Sequence, residues 1–164
     1  MVVDKLNVLM REIASLISTY EGALEELEEL KPSFVFETLN TVESGTIKIE
    51  LGEKYPNARL YIADMVYCYP TYTELVEWLN VDSLDKMVWL EDIWDCDNFA
   101  VESYCRIHRV VGNIAYGEAW GYTPIGYHAF CIAWTDRGLS IIEPQNDDTR
   151  DWKSSDYVPN FIKM

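Results

Sequence analysis

Two apolar runs, YHAFCIAW (127–134) and LSIIEPQ (139–145), flank the tetrapeptide TDRG, and this arrangement restricts the fold more than any other feature of the chain. Asp136 and Gly138 are turn residues, so the runs form an antiparallel hairpin. If Trp134 pairs with Leu139, then Ile132 opposes Ile141, Phe130 opposes Glu143 and His128 opposes Gln145. In that register His128, Glu143 and Gln145 project from one face, with Glu143 diagonal to His128 at about 7–8 Å between backbones. A three-residue loop shifts the pairing by one and turns Glu143 away. Both faces of the hairpin are apolar, so hydrophobicity does not choose between the registers. A carboxylate and an imidazole inside apolar strands are costly unless paired, which favours the register in which they meet.

Upstream, WDCDNFA (94–100) opens a helix. Asp95 is its N-cap, Ala100, Tyr104, Ile107 and Val111 form its buried stripe, and Gly112 is the C′ residue. Arg106, His108 and Arg109 suit the negative end of the dipole. Cys105 and His108 read as packing and a dipole cation rather than half of a metal site. Cys96 occupies the first helical position, beside unpaired backbone N–H groups and between two aspartates.

Residues 4–30 predict one long N-terminal helix, because Leu6, Met10, Ile13, Ile17, Tyr20, Leu24 and Leu27 recur at spacings of four and three. The stripe suits either packing on its own domain or a homodimer seam; Lys31-Pro32 ends it. TIKIEL (46–51) and NARLYIAD (57–64) alternate like strands, with a turn at Tyr69-Pro70. TELVEWLN (73–80) reads as a short helix with Leu75, Trp78 and Leu79 inward, and SLDKMVWLEDI (83–93) as a second. GNIAYGEAWGYTPIG (112–126) reads as a loop, and the tail from Arg150 as a segment docked by Trp152 and Phe161.

The whole, residues 1–164, is expected to be a single domain, half of it apolar. Thirteen Lys and Arg against 28 Asp and Glu give a net charge of −15, which argues against nucleic-acid and membrane partners. The N-terminus lacks the apolar core of a signal peptide, so a cytoplasmic location is expected. Cys68, Cys96, Cys105 and Cys131 include no CxxC pair, so free thiols are expected, without a zinc site.

A thiol at a helix N-terminus, an imidazole on one strand and a carboxylate on the next are the parts of a nucleophile, its base and the base's orienter. The ordered motifs WDCDNFA, YHAF and IIEPQ, spanning 94–145, resemble those of papain-like cysteine peptidase domains. These include the C-terminal domain of fungal chimerolectins of the mushroom agglutinin type and related phage and prokaryotic domains. The resemblance covers roughly a third of the chain. It implies a papain-like α+β fold, with the nucleophile helix packed on an antiparallel sheet and a catalytic core over 94–145. By position, Cys96 is the nucleophile, His128 the base and Glu143 the third member of a triad. Gln145 either orients or supports an oxyanion. Asn98 departs from the second Asp of many relatives.

The implied activity is hydrolysis of a peptide or protein substrate, as peptidase or amidase, through a thioester. Three alternatives stand beside it: a transglutaminase-like acyl transferase, a non-catalytic interaction module, and a structural part of a viral assembly. The chemistry requires no cofactor and no metal, although the resemblance implies calcium dependence in some relatives. Asp95 and Asp97 disfavour a neighbouring thiolate, and a bound calcium would neutralise them.

Overall fold

The computed structural model describes residues 10, 12, 13, 16, 17, 20, 34–153 and 155–164. Two compact units divide the chain, 1–33 and 34–164. In the first, Met10, Ile13, Ile17 and Tyr20 of the expected stripe are helical and exposed. The rest of the helix expected over 4–30, with its Lys31-Pro32 end, lies outside the described residues.

The second unit is a mixed α+β domain. Its strands are β1 (Leu39–Glu43), β2 (Arg59–Tyr61), β3 (Val66–Pro70), β4 (Tyr116–Thr123), β5 (Gly126–Thr135), β6 (Gly138–Glu143), β7 (Asp148–Asp151) and β8 (Val158–Lys163). Its helices are α1 (Ser44–Lys54), α2 (Tyr72–Asp82) and α3 (Cys96–Val110). β1 and β3 pair antiparallel by themselves, while the six-stranded sheet runs β2-β8-β4-β5-β6-β7. Only β2 with β8 is parallel in that sheet.

The β5–β6 hairpin takes the expected register, with Trp134 opposite Leu139 and Ile132 opposite Ile141. Gly138 closes its turn at φ 88°, where a side chain would be strained. Both strands are covered on both faces, which explains their continuous apolarity. On one face Phe130, Ile132, Trp134, Leu139 and Ile141 pack with Ile47 and Leu51 of α1. On the other, Ala129, Cys131, Ala133 and Ile142 meet Leu75 and Trp78 of α2 and Ala100 and Ile107 of α3. Each fully buried Ile, Leu or Phe contributes about 1.5–3 kcal/mol, so these two layers hold the domain together.

Six sequence expectations are corrected. TIKIEL is helical, inside α1: Ile47 and Leu51 are buried while Ile49 is 63% exposed. An i, i+4 pair belongs to both the helical and the strand period, so the short window misled. The expected helix over 83–93 is a single 3-10 turn, Leu84–Lys86, followed by an irregular loop. Met87, Val88, Trp89, Leu90 and Ile93 all face solvent there, leaving no buried stripe to hold a helix.

The supposed loop 112–126 contains β4, a central strand, and the tail supplies β7 and β8; Tyr69-Pro70 ends β3 rather than making a turn. Glycine signalled a loop but serves close approach instead. A Cβ on Gly117 would lie 2.3 Å from the Lys163 carbonyl oxygen, and one on Gly121 would lie 2.2 Å from that of Val158. Gly112 does not take a left-handed C′ conformation. Val111 leaves α3 extended instead, and both ring nitrogens of His108 face carbonyl oxygens, Gly112 at 3.0 Å and Tyr116 at 2.9 Å. No ring nitrogen is left for a metal.

Candidate functional site

Asp95 caps α3 in extended conformation, as its sequence predicts, and the side-chain oxygen of Asn98 accepts from the Asp95 N–H at 3.2 Å. Asn98 therefore completes the helix cap. The two aspartates around Cys96 interact with each other: a hydrogen bond from Asp97 and the charge beside it raise the Asp95 carboxyl above its ordinary range.

Cys96 is half-buried against the apolar cluster of Ala100, Ala129, Cys131 and Ile142. One turn on, the Cys131 thiol donates to the Ala100 carbonyl at 3.5 Å, fixing α3 over β5. His128 belongs to the other face of β5. It follows Phe130 and Ile132 by strand alternation, and its Nε2 donates to the Glu143 carboxylate at 2.7 Å. The same carboxylate oxygen accepts from the Tyr157 hydroxyl at 3.3 Å, and the Tyr157 ring meets Phe130 edge-on at 4.9 Å. His128 and Glu143 are each 7% exposed.

The structure thus brings His128 and Glu143 together, adds Tyr157, and leaves Cys96 with the α3-side cluster. Among the described residues no hydrogen bond joins Cys96 to His128. Among the described residues, the buried amide nitrogen of Gln145, just past β6, and the second oxygen of Glu143 have no hydrogen-bond partner. Tyr157 escaped the sequence reading because nothing in the tail signals a strand that returns to the sheet.

A hollow of about 190 Å³ opens beside the N-terminus of α3, lined by Trp94, Asp97, Asn98, Val101 and Glu102. Trp94 is half-buried, its ring set edge-on to Phe99 at 6.0 Å and its indole N–H without a partner among the described residues. Backbone bonds between Leu90 and Trp94, at 2.9 and 2.8 Å, close the preceding turn. That turn presents the exposed Trp89, Leu90 and Ile93 next to the hollow in sequence. Trp94 carried the motif in sequence but no role.

Past Gln145, Asp147 sits at φ 57°. Burial, with the charges of Asp85 and Asp82, pushes its carboxyl up to about 6. A carboxyl whose folded value lies above its unfolded one stabilises the fold most below about 4, and that contribution is lost as pH rises through about 6. Asp147→Asn is therefore expected to stabilise the domain at pH 8 and to be neutral at pH 3.5. Solvent screening holds the gain to about 1 kcal/mol, and asparagine tolerates the left-handed backbone. Urea melts at the two pH values read the difference; an equal effect at both would rule it out.

No family model and no curated protein matches the chain. Two solved structures of a lectin from Polyporus squamosus do resemble it. One, PSL1a in complex with E-64, has a TM-score of 0.62 at 20% identity, covering 76% of this chain and 50% of that one. The other is bound to the human-type influenza-binding epitope Neu5Acα2-6Galβ1-4GlcNAc. It has a TM-score of 0.57 at 19% identity, covering 76% and 49%. The chain spans about half the length of each. The expectation of a cysteine hydrolase is corrected here, because the similar structures are of a lectin. The fungal-lectin side of the resemblance read from the motifs is what the solved structures share, and what they establish is a common mixed α+β fold.

Proposed function

We propose that this domain is a non-catalytic binding module whose ligand is a glycan, taken at the Trp94 hollow. The observation that carries the reading is the composition of that hollow, one indole and Val101 among Asp97, Asn98 and Glu102. A pyranose has an apolar face for an aromatic ring and hydroxyls around its rim. The rim hydroxyls donate to the carboxylates and accept from the Asn98 amide, whose oxygen is already engaged by the cap. The lectin neighbours, one of them holding a trisaccharide, support a sugar ligand. The exposed apolar turn Met87–Ile93 favours a second reading, a protein partner that covers it.

A glycan microarray probed with the purified chain is expected to give saturable binding to a defined set of sugars. Trp94→Ala should weaken it by about 30-fold, the loss of one hot-spot aromatic. If no glycan binds, or Trp94→Ala binds as well as the parent, the glycan reading fails. If binding instead selects proteins and is lost in Trp89→Ser, the second reading holds.

A further inference from the structure

A second hollow, of about 200 Å³, lies at the β6–β7 edge of the sheet, lined by Tyr72, Arg137, Leu139, Ser140 and Asp151. Its cation is held by the Tyr72 ring, over which the Arg137 guanidinium lies at 4.3 Å, and the Arg137 backbone N–H separately donates to the Thr135 hydroxyl at 3.2 Å. The ring is fixed from both ends. The Tyr72 hydroxyl is 2.5 Å from that of Thr149, and the Tyr72 N–H donates to Asp136 at 2.7 Å. Tyr72 is also the first residue of α2, and that helix end is already met by the Asp136 carboxylate and the Thr71–Glu74 capping box.

Ser140 and Asp151 are direct cross-strand partners and share a face. Ser140 is 4% exposed and lines the hollow. Asp151 already accepts from the Lys153 N–H at 2.8 Å, and its charge acts on Lys54.

From these groups we infer that the hollow binds a small carboxylate that carries hydroxyls, the chemistry of a sugar acid. The carboxylate pairs with the guanidinium, which accepts that planar geometry in two parallel bonds. A hydroxyl on the adjacent carbons bonds to Ser140, and another donates to Asp151. The volume falls below the roughly 300–1,000 Å³ of drug-sized sites, which suits a single ring. This site shares no lining residue with the Trp94 hollow, so either can fail without the other.

Calorimetric titration with D-glucuronate tests it, with D-glucose and acetate as probes lacking the carboxylate or the hydroxyls. Glucuronate is expected to bind at least tenfold more tightly than either. Arg137→Gln, at an exposed turn position, should abolish that preference, and Ser140→Ala should weaken glucuronate about fivefold while Trp94→Ala leaves it unchanged. Thermal melts confirm that each variant is folded. Absence of glucuronate binding, equal binding of glucose, or full affinity in Arg137→Gln would overturn the assignment.

Discussion

Gly121→Ala is expected to destabilise the domain by about 3 kcal/mol, at the upper end of what overpacking costs. The new Cβ would lie 2.2 Å from the Val158 carbonyl oxygen and 2.4 Å from the Pro159 Cα, both backbone atoms that no side-chain rotation relieves. β8 runs beside β4 there, and its register shifts between Trp120 and Gly121, so the strands approach closely at an irregularity. Gly121 is also the partner of His128 across the sheet, so the displacement falls on the buried histidine. Gly52→Ala is the control: its Cβ meets nothing within 4 Å, and in a helix the change should stabilise by about 0.5–1 kcal/mol. Urea unfolding of both variants reads opposite signs. A loss below about 1 kcal/mol at Gly121 would mean that β8 is not seated as described.

Glu143→Ala is the second large effect, also about 3 kcal/mol. Its carboxylate accepts from His128 and from Tyr157, and the substitution strands both donors in a site where His128 is 7% exposed. Removing one partner of a buried polar group costs far more than the bond's net worth, because the other is left without water. Glu143→Gln keeps one acceptor oxygen and the side-chain volume, so it should lose about half as much. Equal losses for the two variants would show that volume, not hydrogen bonding, sets the cost.

Much of this region was legible before the structure. The pairing of Trp134 with Leu139 followed from the turn residues, and the cost of burying His128 and Glu143 apart selected the register that joins them. Asp95 as N-cap and Leu75, Trp78 and Leu79 as the buried stripe of α2 followed from local chemistry. What could not be read was non-local. Gly117 and Gly121 signal a loop unless β8 is known to pass over them, and Tyr157 contributes to the site only because the tail folds back. Cys96, His128 and Glu143 appear in the order of a catalytic triad. Order along a chain does not say which face of β5 each one meets: Cys96 packs on the cluster shared by α2 and α3, while His128 and Glu143 bond to each other.

The central claim, binding without turnover, is tested most directly by titrating a glycan selected from the array into the parent protein and Cys96→Ala side by side. Mass analysis follows for both ligand and protein. The expected result is the same affinity in both, the glycan recovered unchanged and no adduct on Cys96, because Cys96 packs on the α2–α3 cluster and does not line the Trp94 hollow. The opposite result is an absence of glycan binding together with an acyl adduct on Cys96 from an electrophilic peptide probe, lost in Cys96→Ala. That outcome would contradict a non-catalytic module outright.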